Sequence, residues 1–128
     1  MRKLTFIFVF ALAFVLLLSG CKTESTTTLN SEYKIVYGGS QIEATVRELK
    51  VDGGRTTARI RFLNLGSEEL SSIEAQIEFI DGNGEIISTY IVQETFDTPI
   101  AIGASFSETA ECDTNSKIKG VYVTEYLP

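Results

Sequence analysis

The side chains able to do chemistry in this 128-residue chain are mostly carboxylates, and there is no histidine. Without an imidazole the chain lacks the usual general base at neutral pH and the commonest metal ligand. It also lacks a Gly-x-Ser-x-Gly elbow, a Gly-rich phosphate loop and a Cys/His cluster. A glycosidase needs two acids flanking one bond, and two pairs present themselves. Glu68-Glu69 lies between Ser67 and Ser71 in an expected loop, where it reads as a solvated pair. Glu108 and Glu111 read as the wet face or edge of a strand. Asp81, Asn83 and Glu85 alternate like the start of a calcium loop, but calcium takes about six to eight oxygens and such loops carry a distal Glu. Asp81-Gly82-Asn83-Gly84 reads better as a tight turn, since Asp-Gly and Asn-Gly supply the positive φ that hairpins require. No catalytic, metal-binding or cofactor-binding residue is assigned, and the expectation is a protein that is not an enzyme and needs no cofactor.

The two cysteines carry the remaining reactive chemistry. Leu18-Ser19-Gly20-Cys21 has the form of the bacterial lipobox: an apolar residue, two small ones, then the cysteine that takes a diacylglycerol thioether. The segment ahead of it fits. Arg2 and Lys3 form a positive start, and residues 4–18 an almost unbroken apolar run. That run is roughly 15 residues, short of the ~20 a spanning helix usually needs. The alternatives are an uncleaved anchor or an ordinary secretory peptide that happens to end near a cysteine. Two acyl chains at ~0.8 kcal/mol per buried methylene hold a protein on its membrane, whereas one binds reversibly. Lipidation consumes Cys21 and leaves Cys112 without an intramolecular partner. Alternating with Phe106 and Ala110, Cys112 reads as a small core residue, with an intermolecular disulfide or redox thiol as the alternative.

Processing changes the charge. Cleavage takes Arg2 and Lys3 from the 11 basic residues and none from the 17 acidic ones, moving the net charge from −6 to about −8. A domain this acidic is a poor match for nucleic acid or anionic lipid, because phosphate neutralisation needs clustered Lys and Arg. The membrane contact expected is therefore the lipid on Cys21. Three segments follow: a signal peptide over 1–20, lipidated Cys21 with a flexible Thr-rich tether over 21–32, and one globular domain over 33–128. The tether is too polar to bury apolar surface, and about ten flexible residues reach roughly 17 Å. It reads as a spacer, with glycosylated threonines as the alternative.

The domain must be positioned by strands. Runs rich in Ile, Val, Thr, Tyr and Phe fall at about 33–38, 41–51, 55–63, 72–80, 85–93, 104–112 and 118–126, each bounded by Gly, Asn, Asp or Ser. No long window keeps helical periodicity. Seven short strands predict an all-β, immunoglobulin-like sandwich. Residues 72–80 alternate Ile73, Ala75, Ile77 and Phe79 with Glu74, Gln76 and Glu78; residues 57–62 alternate Ala58, Ile60 and Phe62 with Thr57, Arg59 and Arg61. Antiparallel pairing with Leu63 opposite Ser72 would set Phe62 against Ile73 and Arg61 against Glu74, so that apolar and charged patterns agree on one register. Strand 85–93 has two apolar faces. An even loop before it turns Tyr90 inward, and an odd loop with a bulge turns Ile87 and Ile91 inward. It either switches sheets, is covered by a 94–103 loop, or exposes Ile87 and Ile91 as a partner-binding face.

Residues 46–127 resemble the FxLYD-type domains, small immunoglobulin-like modules found in bacterial lipoproteins. Asn64 closes a strand, Ile77-Glu78-Phe79-Ile80-Asp81 occupies the Phe-x-Leu-Tyr-Asp signature, Gly84 ends the turn, and Gly103 precedes Ala104-Ser105-Phe106. Ile77, Phe79 and Ile80 replace Phe, Leu and Tyr, and Ile102 stands where Pro is common. The resemblance implies a sandwich in an extracytoplasmic setting and implies no catalytic residues. The expected role is a lipid-anchored envelope module contacting a protein or glycan through an edge strand or the strand 85–93 face, with a spacer lipoprotein as the alternative and a carboxylate hydrolase as the remote one. Lys22 after the lipidated cysteine leaves both the cell membrane and a diderm outer membrane open.

Overall fold

The computed structural model describes residues 24–127; the leader and Cys21 lie outside the described residues. Among the described residues every regular element is a strand: β1 (Glu24–Tyr37), β2 (Ser40–Asp52), β3 (Arg55–Asn64), β4 (Leu70–Ile80), β5 (Ile86–Ile100), β6 (Ser105–Asp113) and β7 (Gly120–Glu125). They form two antiparallel sheets, ordered β1-β2-β3-β6 and β5-β4-β7. The molecule is a seven-stranded β-sandwich, divided four and three as in immunoglobulin constant-type domains. Its order within the sheets is its own, with β2 beside β3 instead of beside the fifth strand.

Alternation explains the core. Ile42, Ala44 and Val46 on β2, Ala58, Ile60 and Phe62 on β3, and Ile73, Ala75, Ile77 and Phe79 on β4 are all fully buried. Val92 on β5 and Val121 and Val123 on β7 complete the inner face of the smaller sheet. Phe62 stacks on Phe106 at 5.2 Å, and Phe96 meets Phe106 edge-on at 4.7 Å, so β5 and β6 close one side of the sandwich with aromatic contacts. Cys112, on β6 opposite buried Thr56, is itself buried, and burial pushes its thiol above the ordinary range.

The expected pairing of residues 55–63 with 72–80 does not form. β3 pairs with β2 and β6, whereas β4 pairs with β5 and β7. Apolar alternation specifies which side of a strand faces inward, and a crossover to the opposite sheet satisfies that parity as well as a hairpin does. Asn64 holds the crossover. Its amide donates to the carbonyls of Glu68 (2.9 Å) and Ile100 (3.1 Å), and its Oδ1 accepts from the Gly66 N–H at 2.9 Å. Arg59 and Arg61 therefore lie on the outer face of one sheet and Glu74 and Glu78 on the outer face of the other.

Two further expectations change. The Thr-rich stretch expected as a flexible tether belongs to β1 from Glu24 onward, pairing Glu24 through Thr28 with Asp52 through Glu48. Threonine is too polar for a core but is β-branched, which suits a paired strand at a sheet edge. The expected 94–103 loop is largely strand, because β5 continues to Ile100.

Strand β5 has the odd loop with a bulge, but not the inward Ile87 and Ile91 expected of it. Residues 81–85 form an odd loop between Ile80 and Ile86, which alone would turn Ile87 inward. The ladder then steps from Ile80↔Ile86 to Phe79↔Ser88, leaving Ile87 as an extra, bulged residue. The bulge cancels the odd loop. Tyr90 and Val92 consequently fall opposite Ile77 and Ala75 on the inner face.

Candidate functional site

Each sheet ends in a strand without a lateral neighbour, and β1 of one sheet lies against β7 of the other. Both alternate in the same sense: Tyr33, Ile35 and Tyr37 face the core from β1, as do Val121 and Val123 from β7. Side chains tie the two edges together. The Tyr33 hydroxyl donates to the Val121 carbonyl at 2.9 Å, and the Val36 N–H donates to Glu125 Oε1 at 3.2 Å. Edge backbone groups that would otherwise be open to strand addition are used here.

These contacts leave an open groove of about 750 Å³ along the seam. Its aromatic wall is Tyr33 against Tyr122, ring centroids 4.6 Å apart at 52°. Tyr122 is 44% exposed because it occupies the outer position between inward Val121 and Val123. Polar groups surround the rings: Lys34 from β1, Gln76 from β4, and Thr124 and Glu125 from β7. Gln76 is oriented by a 2.7 Å bond from Nε2 to Glu78 Oε2. A rigid aromatic surface with a few placed polar groups can hold an amphipathic ligand and orient it. Nothing in the lining pairs a nucleophile with a base.

The partner-face residues expected from sequence lie elsewhere. Ile91 sits opposite Gln76, which in turn faces Thr124, so Ile91 is two strands from β7 on the same outer face. Ile87 is the bulged residue at the far end of β5. Both are partly covered, and the structure does not bring them together with the groove. Sequence reasoning singles out neither tyrosine. The available signal is Tyr122, an aromatic at the wet position of an alternating Val-Tyr-Val run.

The other candidate carboxylates also have places. Asp81 Oδ1 accepts the N–H groups of Asn83 (2.8 Å) and Glu85 (2.9 Å), while Gly84 takes φ +83°, so this carboxylate builds the turn. Glu111 pairs with Arg55 at 2.9 Å on an outer face, and Glu68 contributes its carbonyl to Asn64. Glu108 is on an edge strand, as one of its two expected placements had it, but not on the wet face. It lies opposite buried Ile60, on the inner side of edge strand β6. Burial, and then the nearby charge of Glu94, raise its carboxyl above the usual range. Among the described residues no three His, Cys, Asp or Glu side chains gather as a metal-holding group.

No protein-family model matches this chain, and no curated protein matches it. Among solved structures, the chain is similar to a crystal structure of a DUF1425 family member from Shewanella sp. pv-4. The TM-score is 0.47 and the identity 14%, over 81% of this chain and 98% of the other.

Proposed function

We propose that this chain is a lipid-anchored bacterial envelope protein whose sandwich is a non-catalytic binding module for an envelope protein or glycan. The anchor reading rests on Leu18-Ser19-Gly20-Cys21 behind a short apolar run, and the module reading on the resemblance of residues 46–127 to FxLYD-type domains. The observation that carries the binding role is the β1–β7 groove, where Tyr33 and Tyr122 present ring surface beside Gln76, Thr124 and Lys34. Tyrosine supplies contact area at low entropic cost, since it has few rotatable bonds to immobilise. The protein sits outside the cytoplasm, on the cell membrane or on the outer membrane of a diderm host.

The test is photocrosslinking in cells from a photoreactive side chain placed at position 122 of the full chain. One reproducible protein or glycan adduct is expected, lost on Thr124→Arg, which crowds the groove, with no change in Tm. A diffuse set of neighbours overturns the binding role and leaves a spacer. An adduct lost on Ile91→Asp but kept on Thr124→Arg moves the surface to the outer face of β5. In the same cells Cys21→Ala should accumulate as an unprocessed, unlipidated precursor, read by gel mobility and detergent partition; normal processing sinks the anchor.

A further inference from the structure

Basic residues are scarce after Cys21, and the arginines among them are not scattered. The chain has four arginines beyond that point: Arg47, Arg55, Arg59 and Arg61. Arg55 is occupied by Glu111 at 2.9 Å and Asp113 at 2.7 Å. The other three line a single groove of about 330 Å³ on the outer face of the four-stranded sheet, together with Glu48, Thr28 and Ser107.

The fold gathers them by strand parity on paired β2 and β3. Arg59 and Arg61 are two residues apart on β3 and so share its outer face, opposite Thr109 and Ser107 of β6. Arg47 follows inward-facing Val46 on β2 and so turns outward by ordinary alternation. The β2–β3 ladder steps from Val46↔Ile60 to Glu48↔Arg59, so Arg47 is the extra residue and lines the same groove as Glu48. The side chain this bulge re-aims is Glu48. Without it the parity of β2 would place Arg47 outward and Glu48 inward.

The charge is not balanced locally. Among the described residues Glu48 is the one carboxylate within ion-pair distance of these guanidinium groups, 3.8 Å from Arg59, and Arg61 Nε donates to Ser105 Oγ at 3.2 Å. Three guanidinium groups against one carboxylate leave two positive charges over, on a domain whose net charge is strongly negative. Like charges side by side on a sheet are unfavourable, so an anion that binds them relieves repulsion as well as gaining hydrogen bonds.

We infer that this groove is a binding site for a phosphate group, free or in an ester. A single carboxylate is matched by one arginine fork. Three guanidinium groups with the Ser107 and Thr28 hydroxyls suit a tetrahedral anion that accepts hydrogen bonds from several directions and carries up to two charges. The groove, at about 330 Å³, exceeds one such group and leaves room for a substituent. The site lies on a different face from the β1–β7 groove and does not depend on it.

The experiment uses the full lipidated chain in neutral detergent micelles at constant ionic strength, followed by the NMR signals of the arginine Nε–H groups. One arm titrates inorganic phosphate; the other dopes the micelles with phosphatidylglycerol, with phosphatidylcholine as control. Saturable shifts of Arg59 and Arg61 are expected. Arg61→Gln should weaken binding about two- to fivefold, as for exposed ion pairs, and Arg59→Gln with Arg61→Gln about tenfold or more, while Arg55→Gln leaves it unchanged. Saturation in the phosphate arm identifies the group itself as the ligand, and saturation only with phosphatidylglycerol assigns it to a lipid headgroup. Shifts no larger than those from chloride, or binding that survives the double variant, overturn the proposal.

Discussion

At the scale of single residues, the most consequential side chain is Asn64. It is 1% exposed and makes three hydrogen bonds, to Gly66, Glu68 and Ile100, that join the β3–β4 crossover to the end of β5. Its backbone continues the link, with Asn64 N–H to the Ala104 carbonyl at 3.0 Å and Gly103 N–H to the Asn64 carbonyl at 2.8 Å. Gly66 is small for the same reason: a Cβ there would lie 3.0 Å from that of Ser40. Replacing Asn64 by Ala strands an amide and two carbonyls away from partners. The expected cost is about 3 kcal/mol, since each buried polar group left unpaired costs roughly 1–3 kcal/mol. Urea denaturation checks it through a lowered midpoint at unchanged m. Cys112, by contrast, contributes as a small apolar side chain, its thiol raised by burial.

At the scale of elements, β5 decides which apolar residues the domain keeps. The bulge at Ile87 compensates the odd loop at 81–85 and delivers Tyr90 and Val92 to the core. Deleting Ile87 removes the extra residue and leaves Ile86 and Ser88 paired as before, so the fold should survive with a modest loss of stability. Deleting Ile91 lies beyond the compensation. Either Val92 or Tyr90 must then leave the inner face, forfeiting about 2 kcal/mol or more of burial. Thermal unfolding of the two deletions, with tyrosine near-UV dichroism as the packing signal, should separate them. Equal losses would show that parity at β5 does not govern the core. The β2 bulge at Arg47 has a different use, turning Glu48 out of the core's alternation to lie 3.8 Å from Arg59 in a surface groove.

At the scale of the whole molecule, the sandwich has two seams with different chemistry. At β1–β7 hydrogen bonds and packed tyrosines close the edges. At β5–β6 the aromatic contacts of Phe96 and Phe106 give way to Glu108, whose carboxyl is raised by burial and by Glu94. A raised carboxyl means that the folded chain holds a proton more tightly than the unfolded one. Stability from this group is therefore full below the ordinary carboxylate range and falls as pH rises through the raised value. Glu108→Gln should raise Tm at pH 7, and the advantage should vanish at pH below 4.5, the ordinary value. Glu94→Gln should give a smaller gain, since its charge is the second cause. Tm measured across pH for the three proteins checks both the sign and the order.

Much of this architecture is legible in the chain. The alternation of β3 and β4 and the Asp81–Gly84 turn are local consequences of side-chain size and backbone freedom. Strands β2, β3, β4, β6 and β7 fall close to their expected bounds, while β1 begins earlier and β5 runs further. Composition likewise identifies an acidic, histidine-free chain. Strand neighbours are another matter. The Phe62 and Ile73 faces look the same whether β3 and β4 pair or oppose each other in different sheets, because burial rewards the face and not the partner. The polar run over residues 24–31 reads as a tether from composition alone; residues 25–28 pair because Val51 through Glu48 lie alongside. The candidate sites are tertiary for the same reason. Tyr33 and Tyr122, or Arg47 and Arg59, are distant in sequence, and only an edge-to-edge seam and the pairing of β2 with β3 set them side by side.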